Sequence, residues 1–576
     1  GGSDVKRSGR AWPVVVAISL ALVAAACGSS GTNNNNNNAT GQTSGGNEGK
    51  PVTGGNLIDY QNFAAGDVPH IDPALAEEIQ GSQVGLLLFD GLADYDYKTG
   101  DLKPAVAESW QSNADASVWT FKLKNDVKWS NGDPVLPSDF KYAWERLVSK
   151  QLASVTAFHV TDTLKIKGAS DVASGAATEM SGLKADDANM TLTMELESPL
   201  SFAPAVTAHV ALSPVPKKIV SALPDTTKWE EGIMIGNGPY KMAEPRKPDQ
   251  YVKLVRNENY YGGIYGHKGY LDSIEFRMSK DQDSAWAAFE AGQGQIGQIP
   301  QARYADAKAK YPDHTSEDVS TNGIYFYAFN ANDPVVGGAQ NVKLRQAISL
   351  VIDRDKIAKD IFNNSRKPAT GIAMPGIPGF KAGLSQYGTR DVARAKQLIS
   401  DWEKATGKKV ADLPAIKLNF GQGAGHDQIA TIIQANLQEI GVKSELDPRE
   451  AKTYFAQMRA GQGQFLRDGW IADYNVYDNQ LFPLFHSSQI GGAGSNHAQY
   501  SSPKFDGLID QARRATDQAT ANQLYQQAES VVLNDDTIAV PIVWYSGNIA
   551  WSTQLHNVVQ GSLYYVNYED MWMSNK

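Results

Sequence analysis

The chain has almost no cysteine: one residue, Cys27, in 576. A single thiol excludes an intramolecular disulfide, a four-thiolate zinc site and an iron–sulfur cluster bound by this chain alone. Excess positive charge is missing too, with 53 Lys and Arg against 63 Asp and Glu and a net charge of −10, so nucleic acid is not an expected partner. Enzyme signatures are scarce. There is no Gly-x-Ser-x-Gly elbow, no Walker A loop and no His-Glu-x-x-His, and the folded part offers no Cys nucleophile. The nine His are scattered; His426, His486 and His497 share one half of the chain without metal-site spacing, and the sequence predicts no metal or cofactor. A carboxylate pair of the glycosidase kind stays open, because such pairs are defined in space.

What is present is ample material for a core. Apolar residues make up 42% of the chain, with 12 Trp and 24 Tyr, which argues against global disorder. At several times the usual domain length of roughly 150 residues, two or more lobes are expected.

The first fifty residues differ from the rest. Lys6, Arg7 and Arg10 precede an apolar stretch, Ala11 to Ala26, which ends in Ala24-Ala25-Ala26-Cys27-Gly28. This reads as a signal peptide with a small-residue cleavage site, and sixteen residues interrupted by Pro13 fall short of the roughly 20 a spanning helix needs. The placement of Cys27 resembles the lipobox of bacterial lipoproteins, with Ala24 where that pattern prefers Leu; the resemblance implies a thiol carrying a lipid anchor, against the alternative of an ordinary signal peptide with an incidental Cys. The chain opens Gly1-Gly2-Ser3 without Met, which leaves its natural start open. Residues 28–53 are expected to be a disordered tether, rich in Gly, Ser, Thr and Asn, with six consecutive Asn at 33–38.

Beyond Pro51 no second low-complexity linker interrupts the chain. Period-two alternation predicts strands at Trp119 to Lys124, Thr191 to Leu196, Tyr251 to Arg256 and Ile324 to Phe329. Helical spacing with capping residues predicts helices opened by Ser138-Asp139, by Asn341 and by Asp427, the last closed by Gly441. Phe140, Ala143, Trp144 and Leu147 share one helical face, as do Leu344, Ala347, Ile348 and Val351, and both stripes read as core. Strands and helices interleave, so the fold class is α/β or α+β.

A run of short strings then appears in a fixed order. It includes Asp72-Pro73, Leu88-Phe-Asp-Gly-Leu92, Pro104-Ala-Val-Ala-Glu-Ser-Trp110, Asp139-Phe-Lys-Tyr-Ala-Trp-Glu-Arg146, Asn237-Gly-Pro-Tyr240, Val342-Lys-Leu-Arg-Gln-Ala-Ile348 and Trp470-Ile-Ala-Asp-Tyr474. Together they resemble the family 5 extracellular solute-binding proteins, over residues 54–576. The resemblance implies an α/β periplasmic-binding-protein fold of type II, with two hinged lobes and an additional domain in the first half. Lobe I would be 54–89, 214–328 and 545–576, the extra domain 90–213, and lobe II 329–544, with crossings near Phe329 and Trp544. It also implies a non-enzymatic, monomeric receptor, lipid-anchored on the extracytoplasmic face of the cell membrane, that hands short oligopeptides to an ABC permease and ATPase complex. Another solute on the same scaffold (an oligosaccharide, a nickel complex or a signalling peptide) is the alternative, and a secreted hydrolase a more distant one.

Residue by residue, the resemblance to the oligopeptide binders assigns the peptide's free amine to Asp473 and strand-like pairing to the backbone at Gly469 and Ile471. It makes Trp470 a pocket wall, with a core Trp the competing assignment, and puts Glu77 and Ile79 on the opposing ligand-facing segment. His426 and Arg467, with Arg459 more loosely placed, would meet the peptide's carboxylate at particular lengths. The chain departs from these relatives at Glu450-Ala451-Lys-Thr-Tyr454, where an aromatic wall is replaced by Ala451.

Overall fold

A computed structural model describes residues 49–60, 68–316, 320–423, 425–491 and 494–574. Cys27, the signal segment and residues 28–48 of the tether lie outside them. No helix of the described residues is long and apolar enough to cross a membrane.

Three sheets organise the body. The first runs, in spatial order, Ile549–Trp551, Ile296–Gln298, Asn56–Asp59, Ser273–Arg277, Tyr251–Arg256 and Tyr240–Met242. The second runs Lys367–Pro368, Ala539–Ser546, Ser320–Phe329, Phe465–Ile471, Ile416–Gly421 and Ser444–Arg449. The third is antiparallel, Ala107–Ser112, Val118–Leu123, Thr191–Glu195 and Leu183–Asp186. Non-consecutive neighbours in the first two sheets mean that the chain repeatedly leaves and re-enters each, as an α/β fold of mixed connectivity requires.

The alternating segments are strands for the expected reason. Trp119, Phe121 and Leu123 are buried while Val118, Thr120 and Lys122 are only partly covered. Both helical stripes are core: Phe140, Ala143, Trp144 and Leu147 in one body, Leu344, Ala347, Ile348 and Val351 in another. Helix starts fall slightly away from the predicted caps. The helix Pro137–Val148 is capped at Leu136, whose N–H donates to Asp139 Oδ2 at 2.9 Å, because Pro137 has no N–H to offer and suits the first helical position. Asn341 does cap Val342–Val351, but its side chain is spent elsewhere, donating to the Gly337 carbonyl and accepting Trp402 Nε1–H at 3.0 Å. Gly425, with φ +75°, caps His426–Glu439, and Asp427 sits in its first turn, where the carboxylate faces the positive end of the helix.

Two large apolar clusters form, one around the first and third sheets and one around the second. The strand that enters the second sheet begins at Ser320, so Phe329 lies at its far end, inside the second cluster, stacked 4.3 Å from Phe465.

Candidate functional site

The strand Phe465–Ile471 carries most of the site. Along one side it pairs antiparallel with Ser320–Phe329, with Tyr325 opposite Gly469 and Gly323 opposite Ile471. Along the other it meets Ile416–Gly421 only at Phe465 and Leu466. Beyond that point no strand of the described residues covers it. Tyr454 Oη donates to the Arg467 carbonyl at 2.9 Å from outside the ladder, and successive peptide groups point to opposite edges, so Gly469 and Ile471 turn their backbone toward the same uncovered edge, where the Gly469 N–H is held by Asp468 Oδ1 at 2.8 Å. Gly469 is there because space is short: a Cβ would stand 2.6 Å from Tyr545 Oη and 3.2 Å from the Ile324 carbonyl.

Past the strand's end, the chain turns at Asp473. The adjoining helix Asp478–Phe485 supplies Asn479, whose Nδ2 donates to Asp473 Oδ2 at 3.1 Å and whose Oδ1 accepts Asp473 N–H at 2.9 Å. The same Oδ1 accepts Trp470 Nε1–H at 2.9 Å, and the Trp470 ring packs against the second apolar cluster. Trp470 is therefore placed against the core, and it lines neither of the two cavities at the site. No ion pair to Asp473 exists among the described residues, and burial, offset in part by the Asn479 bond, pushes its carboxyl up to about 6. Asp473 lines a small cavity of about 30 Å³ with Asp94, Tyr97, His209 and Tyr565. Asp94 is pushed up to about 8 by burial and by the neighbouring Asp90.

Sequence spacing pointed to no histidine cluster, yet the fold brings His159 and His209 together beside Asp473, with one ligand atom of each mutually within 4.8 Å. The two rings lie 4.1 Å apart. Burial holds both neutral, pushing His209 down to about 4 and His159 well below its ordinary value, the latter also because a charge on each ring disfavours a charge on the other. His209 Nδ1 accepts Ala211 N–H at 3.2 Å, which leaves its proton on Nε2. His209 thus offers an N–H where a metal needs a lone pair, so the group suits polar recognition better than metal ligation.

Toward the start of the strand the charge reverses. Arg467 holds its guanidinium 4.6 Å over the Tyr325 ring, with Nη2 3.5 Å from Tyr545 Oη and Nε buried without a partner. His426, the first residue of its helix, shares a hydrogen bond with Tyr325 Oη through Nδ1 at 3.1 Å. Burial, with Arg467 and Arg366 nearby, pushes His426 down to about 4, so it stands beside the arginines as a neutral ring. Arg366 joins this group although nothing in its sequence surroundings marked it. Across from the strand, Ile79 opens the helix Ile79–Leu88 and lines a cavity of about 380 Å³ together with Ile471, Arg366 and Tyr545. Two expected residues stand apart. Glu77 is exposed in the loop before that helix, and Arg459 closes the helix Ala451–Arg459, outside both cavities. Tyr454, from the segment where the chain departs from its relatives, is buried and props the strand through hydrogen bonds to the carbonyls of Asn419 and Arg467.

A family model for bacterial extracellular solute-binding proteins, family 5, matches residues 101–492, well over half of the chain. The chain belongs to this family. Among curated proteins, this solute-binding protein is 27% identical over 543 residues to the oligopeptide-binding protein OppA of Bacillus subtilis, covering 92% of this chain and 95% of that one. Two solved structures are similar at 26% identity and a TM-score of 0.70, each covering 90% of this chain and 99% of the other: the Escherichia coli murein tripeptide-binding protein MppA and Haemophilus influenzae OppA in complex with the peptide RPPGFSPFR.

Several strings that carried the resemblance turn out to hold this solute-binding protein's scaffold. Asp72, of the Asp-Pro pair, is buried and takes Arg146 of the Asp139 to Arg146 string in a two-pronged ion pair, Nη1 to Oδ1 at 3.1 Å. Asn237, of Asn-Gly-Pro-Tyr, clasps the backbone of Asp90, accepting its N–H and donating to its carbonyl, both at 3.0 Å.

Proposed function

We propose that the protein is the substrate-binding component of an ABC importer, and that it captures short oligopeptides by their free amine and backbone before delivering them to a permease. The observation that carries this reading is the polarity of the site. At one end stands a half-buried carboxylate, Asp473, without a cation among the described residues; at the other, two guanidiniums, Arg467 and Arg366, without an acid; between them runs an uncovered strand edge. A zwitterionic peptide in extended conformation complements all three: its ammonium meets Asp473, its main chain adds to the edge at Gly469 and Ile471, and its carboxyl end approaches the arginines. An unpaired buried ion costs several kcal/mol, so a free amine is selected over a blocked one. Relatives named for oligopeptide binding, and one solved with a peptide, support the same substrate class.

Within this reading the cavity beside Asp473 receives the first side chain, and Trp470, outside that cavity's lining, borders the ligand as an apolar wall. Ile79 packs on the ligand from the opposing side, with Glu77 at its margin, and Arg459 responds only to long ligands. The lobes divide as 54–89, 214–328 and 545–576 against 329–544, with 90–213 inserted, and closure bends the crossings between them. Cys27 carries a lipid that anchors a monomer to the outer face of the cell membrane. The protein retains and releases its ligand without chemical change.

The test is calorimetric titration of tri- to penta-alanine with and without an N-acetyl group. Binding of the free forms in the nanomolar to micromolar range, abolished by acetylation and by Asp473→Ala, is the expected result. Equal binding of the acetylated peptides would refute the amine assignment. Mass spectrometry of small molecules released on denaturation identifies any ligand carried through purification, and a sugar or metal complex there would favour the other solutes of this scaffold.

A further inference from the structure

The cavity that Asp473 lines has a volume of about 30 Å³, room for about two water-sized groups. An ammonium drawn to Asp473 takes one of those places. The amine nitrogen and Cβ of a residue are only two bonds apart, so the side chain of the residue that carries the amine must use what is left. Leu86, Ala208, Val210 and Leu563 line the cavity with alkyl groups, and Asp94 and His209 give it polar atoms.

These walls are fastened to one another. Leu86 belongs to the helix Ile79–Leu88, and its neighbour Gly85 lies so close to Val210 that a Cβ there would stand 2.7 Å from Val210 Cγ2. Tyr97 leans on Gly561 in the same way, its ring 3.0 Å from where a Cβ would be. The side that carries Asp473 is tied in as well. Tyr95, another lining residue, accepts the Asn475 N–H on Oη at 3.1 Å and donates to the Ala205 carbonyl at 3.4 Å. Asn475 Nδ2 donates to the Gly100 carbonyl at 3.1 Å, and the Tyr474 ring stacks 5.8 Å from Phe202. Segments far apart in the chain thus close on the two residues after Asp473, and the cavity gains room only by parting these contacts. Packed walls resist enlargement, and each methylene beyond the available space costs binding.

We propose that this clasped cavity makes the protein selective for ligands whose first residue is small: glycine, alanine or serine. The proposal rests on the peptide reading given above. A methyl group fills the place beside the ammonium, and a hydroxymethyl group finds partners in Asp94 and His209. A branched or aromatic side chain has to push Leu86 or Val210 aside, or part Tyr95 from Asn475. Neither Gly469 nor Ile471 lines this cavity, so residues further along the ligand escape the limit.

The experiment is calorimetric titration of the whole protein, wild type, Leu86→Ala and Tyr95→Phe, each checked by thermal melting. The ligands are Gly-Ala-Ala, tri-alanine, Ser-Ala-Ala, Leu-Ala-Ala and Phe-Ala-Ala with free amines, and Ala-Leu-Ala and N-acetyl-tri-alanine alongside. In wild type the first three are expected to bind within about fivefold of one another, and the Leu-first and Phe-first peptides ~30- to 100-fold more weakly. Ala-Leu-Ala should match tri-alanine. Leu86→Ala, which makes room, and Tyr95→Phe, which unties Asn475, should each shrink the ratio of tri-alanine to Leu-Ala-Ala by about fivefold or more, while sensitivity to N-acetylation survives. Equal binding of Leu-Ala-Ala and tri-alanine by wild type would overturn the proposal, and needs no variant to fold. An equal penalty on Ala-Leu-Ala, or a ratio unchanged in both variants, would overturn it as well. These results leave the amine reading standing; failure of wild type to bind any peptide would bring down both.

Discussion

Asn479 grips Asp473 from both sides, donating to its carboxylate at 3.1 Å and accepting its backbone N–H at 2.9 Å. The amide fixes where the carboxylate stands without neutralising it. Burial raises the acid to about 6, and only the Asn479 bond opposes that rise. The carboxylate is thus kept short of a cation, which is the condition under which an incoming ammonium gains most.

Binding should follow the ionisation of that acid. The ammonium needs the carboxylate form, so affinity for a free-amine peptide is expected to fall about tenfold per pH unit below about 6, and to be nearly flat from there to the α-amino pKa of about 8. Asp94, titrating near 8 in the same cavity, contributes to the upper limb. Calorimetry between pH 4.5 and 9 measures the profile, and Asp94→Asn separates the two groups. A flat lower limb would exclude Asp473 as the partner of the amine.

Stability and binding should part company in Asp473→Asn. The folded protein holds the Asp473 proton more tightly than the unfolded chain does, from 3.8 up to about 6, so this group's contribution to stability declines as pH rises between those values and stays as a penalty above them. Removing the charge while keeping an acceptor for Asn479 is expected to stabilise the empty protein at pH 7.5 by on the order of 2 kcal/mol, while peptide affinity drops at least 100-fold. Thermal melts with and without peptide read both effects. At pH 4 the stability gain should vanish.

Gly469→Ala should weaken every peptide alike. Its Cβ would press on Tyr545 Oη at 2.6 Å and on the Ile324 carbonyl at 3.2 Å, and Tyr545 is itself stacked on Arg366. Displacing the strand edge acts on main-chain pairing, so an affinity loss of about tenfold, independent of peptide side chains, is expected from titration of a small peptide panel. A loss confined to some sequences would mean that the edge does not pair with the ligand.

Asp72→Ala tests the scaffold instead of the site. It strands the buried Arg146 guanidinium, which among the described residues keeps a hydrogen bond to the Thr226 carbonyl at 2.8 Å and its place over the Trp229 ring. Loss of one partner of a buried pair is expected to cost about 3–5 kcal/mol in denaturant melts. Peptide affinity measured well below the melting temperature should change little.

The amino-acid sequence determined the scaffold and pointed to one end of the candidate site. Alternation of buried and covered positions in Trp119 to Leu123, and apolar stripes such as Leu344 to Val351, are local patterns that survive into the structure because each strand or helix buries one face. The ordered strings were legible for the same reason, and Asp72 with Arg146, or Asp90 with Asn237, show what several of them are for: polar groups buried together must find each other. Asp473 was legible only through the string that contains it. Tertiary structure alone decided the rest. Asn479 looks like any polar residue of a helix's first turn until the chain folds back on Asp473. His159 and His209, fifty residues apart, become neighbours through packing, and Arg366, in a segment of polar composition, packs on the rings of Phe362 and Tyr545. Whether a charge is solvated or stranded depends on which side chains surround it in space, and that is settled by the fold, not by neighbours along the chain.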